Sequence, residues 1–288
     1  MEQLLFSEKI IQWYQKHRRD LPWRHTTDPY QIWLSEVILQ QTRVAQGLPY
    51  YQRFIEAFPS VYDLANASEQ EVLRLWQGLG YYSRARNLHA CAKSIVKDYG
   101  GKFPTTYQEL IKLKGVGAYT AAAIASFAFN ETVPVVDGNV YRVLARVFGI
   151  DDDILSTTGQ KRFRKVADQL VPDGKANVYN QAIMEFGALQ CTPANPACLL
   201  CPVEATCYAY QHGKQKELPV KIKKGKIKDR YLHYVVVQQN EKLLMKQRPA
   251  KGIWAGLYDF HLVEASKSQE WDALDDSLVS ELVQQQPA

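Results

Sequence analysis

The sequence predicts a mostly helical protein that ends in a smaller α/β domain. From residue 1 to about residue 212, apolar residues recur at three- and four-residue spacing, which is the spacing of one helix face. From about residue 230, short runs rich in tyrosine and valine alternate with turn residues, which is typical of strands. The length of 288 residues and the apolar content of 46% are enough for a full core and indicate two domains.

Helix-breaking residues divide the first domain, placed at residues 1–212, into separate helices. The breakers are Asp28-Pro29, Gly100-Gly101, Pro104-Thr105 and Pro172-Asp173-Gly174. The periodic segments predict helices over residues 4–14, 30–39, 72–79, 88–96, 119–129, 140–148 and 182–189.

A lysine-rich linker is predicted at residues 213–229, before a second domain at residues 230–288. Such a stretch is either a solvated spacer or a spacer that also contacts phosphate. Its lysines are Lys214, Lys216, Lys221, Lys223, Lys224, Lys226 and Lys228. In the second domain, strands are predicted within residues 231–238, 242–246 and 256–263.

Charge and hydropathy narrow the class of protein. The first ten residues lack the basic and apolar regions of a signal peptide. No apolar run approaches the ~18 residues that span a bilayer, so the protein is expected to be soluble and cytoplasmic, and nucleoid-associated in a bacterium. A net charge of +5 is compatible with a polyanionic partner but does not require one.

Four cysteines fall within a short segment, as Cys191-x6-Cys198-x2-Cys201-x5-Cys207. Thiolates select iron–sulfur clusters or zinc. Structural zinc sites usually pair two tight knuckles, whereas here one tight pair lies inside two wider steps, which favours a [4Fe–4S] cluster. Zinc and unpaired structural thiols remain alternatives, and disulfides are disfavoured without a sign of export. Cys91, in a helical run, is interpreted as a buried apolar residue.

Gly115 and Gly117 form a glycine-hinged turn in the segment LKGVGAYTAAAI. Glycines let a backbone approach a ligand closely, and the N-terminus of the following helix offers free N–H groups to an anion. The turn alone is also compatible with a simple connection between helices. Beside four clustered cysteines, it resembles the helix-hairpin-helix of DNA repair glycosylases.

Two carboxylates have the surroundings that glycosidic chemistry requires. Glu36 shares a helix face with Ile32 and Leu39, so burial should raise its pKa towards that of a general acid. The alternative is a glutamate that extends from the edge of the apolar stripe to solvent. Asp137 precedes a predicted helix, where it caps the N-terminus and should be held ionised. Together, a protonated and a charged carboxylate allow cleavage through an oxocarbenium-like state.

Two turns carry candidate wedges for extracting a nucleotide from the base stack. One contains Gln40-Gln41 after the Glu36 helix, and the other is Leu79-Gly80-Tyr81-Tyr82. Aromatic residues in such a loop more often pack in a core, so Tyr81 is a candidate only beside the other motifs.

Six segments of the sequence resemble segments of the adenine DNA glycosylases of the MutY type, and they occur in the same order as in that family. The resemblance runs from about residue 6 to about residue 262. It implies a two-lobed helical helix-hairpin-helix domain with a cluster loop at 191–207, followed by a partial Nudix-like domain without a Nudix hydrolase box. The segments are LPWRHTTDPYQIWLSEVILQQTRV, GLGYYSRARNLH, LKGVGAYTAAAI, VVDGNVYRVLARVFG, NQAIMEFGALQCTPANPACLLCPV and GIWAGLYDF.

The resemblance also implies roles for individual residues. Glu36 would protonate adenine N7, and Asp137 would stabilise the oxocarbenium ion or a transient adduct, with Tyr119 and Asn139 supporting the two carboxylates. Gln181 stands where some relatives carry glutamate and is left out of the catalytic set. The remaining contacts to the base or the DNA would come from Trp23, Arg24, Gln41, Thr42, Leu79, Tyr81, Gly115 and Gly117.

The implied partner is double-stranded DNA that contains an A:8-oxoguanine or A:G mispair, bound by a monomer with no membrane association. The implied cofactors are a [4Fe–4S] cluster on Cys191, Cys198, Cys201 and Cys207 and a monovalent cation at the hairpin.

Two rival functions can be weighed on the same residues. An endonuclease III-like lyase needs a lysine nucleophile to form a Schiff base in the hairpin helix. Tyr119 occupies that place, and a phenol cannot form an imine. A non-catalytic DNA-binding protein with a redox cluster would have no need of both Glu36 and Asp137. A monofunctional adenine glycosylase is therefore favoured.

Overall fold

The structure is a computed structural model that describes residues 2–222, 229–249, 252, 254–270 and 273–284. The chain divides into two compact units, Met1–Lys223 and Lys224–Ala288. The division falls inside the predicted linker. The linker lysines Lys223, Lys224, Lys226 and Lys228 lie outside the described residues.

The described part of the first unit is built from helices, as the sequence predicts. They are α1 (Glu2–His17), α2 (Pro29–Ile38), α3 (Val44–Ala57), α4 (Val61–Asn66), α5 (Glu69–Trp76), α6 (Ser83–Tyr99), α7 (Tyr107–Leu110), α8 (Ala118–Phe129), α9 (Gly138–Phe148), α10 (Thr157–Leu170), α11 (Ala176–Leu189) and α12 (Tyr208–Gln211). Short 3-10 helices lie at Pro22–Arg24, Cys198–Leu200 and Glu204–Thr206.

Local signals explain where several of these helices begin and end. The Asp28 side chain accepts the N–H of Tyr30 at 2.9 Å and caps α2, whose first residue is Pro29. Gly100 adopts the left-handed conformation that ends α6. The helix predicted at 72–79 is too long, because α5 ends at Trp76 and the chain turns at Gly78.

Two hydrophobic clusters give the first unit two lobes. The first contains the buried residues of α2–α8. The second contains those of α1 and α9–α12, so the N-terminal helix packs against α11, far from it in sequence. Met184 of α11 contacts both clusters. The lobes therefore meet beside α11, which α8 of the first cluster also contacts.

The second unit contains short strands and one helix in its described residues. β1 pairs antiparallel with β6, β2 with β3 and β4 with β5, in separate two-stranded sheets. The elements are β1 (Tyr231–Val235), β2 (Gln238–Gln239), β3 (Lys242–Leu243), β4 (Lys246–Gln247), β5 (Tyr258–Asp259), β6 (His261–Ala265) and α13 (Ser277–Gln284). Strands thus occur in each predicted run, although they are shorter than predicted.

Within the described ranges, every helix is too short or too polar to cross a bilayer.

Candidate active site

A cavity of about 200 Å³ in the first unit collects most of the residues predicted to act on substrate. Its walls come from the 3-10 helix before α2, from α2, α8 and α11, and from the residues at the start of α9. Seven predicted residues line it: Trp23, Arg24, Glu36, Thr42, Tyr119, Asp137 and Asn139.

Glu36 is buried at this cavity, so the alternative of a solvent-facing glutamate is wrong. Eight of the ten residues of α2 are buried, and only 7% of Glu36 is exposed. Burial raises the pKa of Glu36 to about 7, and the nearby Asp137 also raises it, while Tyr119 and Arg24 oppose the shift. A carboxyl group with this pKa is about half protonated at neutral pH, which suits a general acid.

Tyr119 is the second residue of α8 and reaches Glu36 directly. Its phenol donates a hydrogen bond of 2.6 Å to Oε2 of Glu36. Burial, followed by the charges of Glu36 and Asp137, raises the pKa of Tyr119 well above its ordinary value. The phenol therefore stays protonated and serves as a donor that fixes one carboxyl oxygen of Glu36.

Asp137 caps the N-terminus of α9, as predicted. Its Oδ1 accepts the N–H of Val140 at 2.8 Å, and its Oδ2 accepts the side-chain N–H of Asn139 at 2.8 Å. These donors favour the charged form, as expected from the sequence, but they do not set the net direction of the pKa shift. Burial raises the pKa of Asp137, and this exceeds the opposing effect of the hydrogen bonds and of Arg142.

Arg142 connects Asp137 to the cysteine segment. Its Nη2 donates to Oδ1 of Asn139 at 2.8 Å, which turns the Asn139 amide N–H towards Asp137. Its Nε donates to the carbonyl of Cys191 at 2.8 Å. A continuous set of hydrogen bonds therefore runs from the Asp137 carboxylate to the backbone of the first cysteine.

Sequence reasoning missed an ion-pair cluster on the cavity wall. Glu185 of α11 accepts hydrogen bonds from both Arg19 and Arg24, and the Arg24 pairs measure 2.9 and 2.7 Å. Burial alone would raise the pKa of Glu185, but these donors lower it to about 2. The available signal was an acidic residue inside an apolar helix, the same signal that singled out Glu36.

The two predicted wedge turns differ in what they expose. Gln41 and Tyr81 have left-handed backbones, with φ of 55° and 49°, and Tyr81 is 65% exposed. Leu79 is 7% exposed and packs in the first hydrophobic cluster, so its prediction as a probe of the opposite base does not agree with this placement. Trp23 is also buried, with its ring edge-to-face against Tyr51.

The glycine hairpin lies between α7 and α8. Gly115 has φ of 77°, and a Cβ there would come within 2.7 Å of the Asn87 side chain. Only glycine fits that position. Gly117 precedes α8 without a side-chain cap, and a Cβ there would meet no atom within 4 Å. Gly117 and Ala118, at the N-terminus of α8, are exposed.

The four cysteines fall near the C-terminal end of the first unit, each partly buried and none in a disulfide. Cys191 follows α11, Cys198 begins a 3-10 helix, and Cys207 precedes α12. Among the residues that the structure describes, no three His, Cys, Asp or Glu side chains are arranged so that they could hold one metal ion.

Comparisons with known proteins identify the family of the chain. Residues 34–169 match the family of HhH-GPD superfamily base excision DNA repair proteins. The adenine DNA glycosylase of Buchnera aphidicola subsp. Baizongia pistaciae (strain Bp) is 38% identical over 263 residues, which cover 90% of this chain and 74% of that protein. The adenine DNA glycosylase of Mus musculus is 37% identical over 317 residues, which cover 92% and 62%.

Among solved structures, a thermostable thymine-DNA glycosylase has a TM-score of 0.67 and 31% identity, over 73% of this chain and 97% of that chain. From the extent of the match to the Buchnera protein, the chain belongs to the adenine DNA glycosylase family, within the HhH-GPD superfamily.

Proposed function

We propose that the protein removes adenine that is mispaired with 8-oxoguanine or guanine in double-stranded DNA, by hydrolysing the N-glycosidic bond. The observation that carries the proposal is the buried Glu36, fixed by the Tyr119 phenol, in the same cavity as Asp137. The names of the relatives support adenine as the base that is removed.

Glu36 acts as the general acid. With a pKa of about 7, it holds a proton at neutral pH that it can transfer to N7 of adenine. Protonation makes the base a better leaving group, and a positioned acid contributes roughly 10²–10⁴-fold in rate. Tyr119 occupies one carboxyl oxygen of Glu36, which leaves the other oxygen to carry the proton towards the base.

Asp137 acts as the anion opposite the sugar. As the bond to adenine breaks, positive charge develops on the deoxyribose, and a fixed carboxylate stabilises it or forms a transient adduct. The hydrogen bonds from Val140 and Asn139 favour the charged form against the effect of burial. Water then completes the hydrolysis.

The reaction is monofunctional in this proposal. A lyase needs an amine to attack the sugar and form a Schiff base. The hairpin helix contributes Tyr119 and Phe127 to the cavity; neither carries an amine, and the Tyr119 phenol is engaged with Glu36. Strand cleavage therefore has no nucleophile at this place.

Access to the cavity requires that adenine leave the base stack. The exposed Tyr81 and the nearby Gln41 are the wedges that fill or probe the vacated position. The open N-terminus of α8 at Gly117 binds a phosphate of the DNA backbone, which positions the duplex without reading its sequence. A monovalent cation at this hairpin belongs to the same proposal.

The cysteine segment suits a [4Fe–4S] cluster held by Cys191, Cys198, Cys201 and Cys207. Backbone N–H groups donate to two of the sulfurs, from Val203 to Cys201 and from Ala209 and Tyr210 to Cys207. Nη1 of Arg146 also lies 3.4 Å from Sγ of Cys191. Donors of this kind stabilise cluster thiolates.

When bound, the cluster would join the four cysteines of its loop through their sulfur atoms, and it would take no part in acid–base chemistry. Iron and sulfide analysis should give about four of each per chain, as a [4Fe–4S] composition requires. Stoichiometric zinc in anaerobically purified protein would contradict this part of the proposal.

The second unit is proposed to be part of a Nudix-like domain that recognises 8-oxoguanine. Its described strands, in antiparallel pairs such as β1 with β6, are compatible with the beginning of such a domain. In this proposal, the second unit discriminates between 8-oxoguanine and guanine as the base opposite adenine.

A single-turnover assay tests the function. The protein should release adenine rapidly when it is opposite 8-oxoguanine and more slowly when it is opposite guanine. Release of adenine opposite thymine should be negligible. Borohydride should trap no covalent enzyme–DNA species. Release of another base in preference to adenine, or efficient trapping, would contradict the proposal.

A further inference from the structure

Arg84, near the start of α6, binds the backbone of two separate turns. Its Nη1 donates to the carbonyls of Val37, Ile38 and Gln40, at 3.1, 3.1 and 2.6 Å. Its Nη2 donates to the carbonyls of Leu79 and Gly80, both at 3.3 Å. One guanidinium therefore joins the C-terminal end of the Glu36 helix to the turn that follows α5.

Two of the five carbonyls that Arg84 binds, those of Gln40 and Gly80, directly precede a residue with a strained backbone. Gln40 precedes Gln41, and Gly80 precedes Tyr81, and both of these following residues have a left-handed backbone. Residues other than glycine adopt this conformation at a cost, and it persists where the surroundings fix it. Arg84 thus holds each turn at the peptide where the backbone reverses.

The surroundings of Arg84 contain aromatic rings rather than an acidic partner. Its guanidinium carbon lies 5.0 Å from the Trp76 ring centroid and 5.8 Å from that of Tyr81. Among the ion pairs of the described residues, none involves Arg84, and its Nε is buried without a partner. The Trp76 indole N–H also donates to the Gly80 carbonyl at 3.0 Å.

The charge of Arg84 is therefore directed at backbone carbonyls. A planar fork can serve two groups of acceptors on its two terminal nitrogens, whereas the point charge of a lysine cannot. The geometry indicates a clamp, because its bonds link two turns that no secondary structure joins.

We infer that Arg84 is a positioning residue that locks the turns of Gln41 and Tyr81 into one preformed unit, so that both side chains enter the DNA together at the mispair. The inference rests on the proposed function, because it assigns the preparation of base extraction to this residue. Turns that are already ordered in the free protein lose no further conformational entropy when they bind DNA.

The test compares two duplexes with Arg84→Lys, which keeps the charge but loses the fork. One duplex has adenine opposite 8-oxoguanine, and the other has adenine opposite a tetrahydrofuran abasic analogue, where no base pair opposes extraction. We expect single-turnover release from the mispair to fall about tenfold or more, with a much smaller fall on the abasic duplex. Equal falls on both duplexes would show a general structural role and overturn the inference.

Arg86→Lys is the matched control, two residues further along α6, where Arg86 pairs with the exposed Glu69. It should release adenine from both duplexes at the wild-type rate. A loss in Arg86→Lys equal to that in Arg84→Lys would overturn the inference, because any basic residue of this helix would then have the effect.

A double-mutant cycle with Tyr81→Ala separates the clamp from the chemistry. If Arg84 acts through Tyr81, Arg84→Lys should cost little in the Tyr81→Ala background. Additive losses would overturn the inference. Fluorescence of 2-aminopurine at the target position gives a readout without catalysis, and its rise on binding should be smaller with Arg84→Lys.

Failure of the proposed function has a different signature. A wild-type protein that unstacks 2-aminopurine but releases adenine from neither duplex would contradict the proposed function, and the fluorescence comparison would still decide the role of Arg84.

Discussion

The phenol of Tyr119 lies 2.6 Å from Oε2 of Glu36, although 83 positions separate the two residues in the chain. This bond ties the first turn of α8, beside the glycine hairpin, to the last turn of the buried helix α2. The element proposed to bind the DNA backbone therefore holds the proposed acid directly. In the proposed function, this one hydrogen bond would connect DNA docking to base removal.

Glu36→Gln should abolish adenine release and leave DNA binding nearly intact. The amide keeps the shape of the side chain and can still accept the Tyr119 hydrogen bond, but it has no acidic proton for the base. Single-turnover release and a binding isotherm on the same duplex measure the two effects. Glu56→Gln, on the exposed side of α3, is the matched control. Robust release by Glu36→Gln would place the acid on another residue.

The same variant should be more stable than the wild type at alkaline pH. The folded-state pKa of Glu36 is about 7 against an ordinary value of 4.5, so its stabilising contribution is present below pH 4.5 and is lost as the pH rises through 7. At pH 8, Glu36→Gln should gain up to about 3 kcal/mol in the free energy of unfolding. Urea unfolding at pH 4 and pH 8 tests this, and an equal difference at both values would contradict it.

The pH dependence of single-turnover release should have two limbs. Activity should fall as pH rises above about 7, because Glu36 loses its proton. It should also fall in acid as Asp137 is protonated, at a pH above the ordinary aspartate value, because burial raises its pKa. Asp137→Asn should be severely impaired at every pH and should lack the acid limb. A wild-type rate that does not change between pH 7 and pH 9 would contradict the assignment of Glu36.

Tyr119→Phe should move the alkaline limb to higher pH. The phenol stabilises the charged form of Glu36, so its removal raises the pKa of Glu36 further. The maximal rate should fall because the carboxyl group is less well oriented. A limb that moves to lower pH would mean that the phenol favours the protonated form.

Glu185→Gln should destabilise the fold by about 1–3 kcal/mol, because it leaves two arginines without their anionic partner. The Arg24 side chain is only 11% exposed, so solvent replaces little of the lost interaction. Glu69→Gln is the control, because its pair with Arg86 is at the surface and should contribute less than about 1 kcal/mol. Thermal and urea unfolding measure both, and equal losses would contradict the prediction.

Gly117→Val should weaken binding to matched and mispaired duplexes by the same factor. A Cβ at this position meets no protein atom within 4 Å, so we expect the fold to be retained and an approaching DNA backbone to be obstructed. Gly117→Ala should have a smaller effect of the same kind. Binding isotherms on both duplexes check this, and a loss confined to the mispair would indicate base readout at the hairpin.

Local patterns in the sequence were sufficient for much of the fold. The helix spacing predicted α1, α2, α6, α8, α9 and α11, and the residue type of Asp137 predicted its capping of α9. These features depend on hydrogen bonds and side-chain contacts between residues about four positions apart or fewer. The burial of Glu36 followed from its apolar neighbours on the same helix face for the same reason.

Only the tertiary structure decided which distant groups meet and how strongly burial acts on them. Glu185 pairs with Arg24 across 161 positions, and no local pattern specifies such a contact. The net rise in the pKa of Asp137 depends on the packing of the whole cavity, which outweighs the local helix donors. Leu79 is buried while Tyr81, two residues later, is exposed, because the backbone reverses between them at a turn that Arg84 holds from another helix.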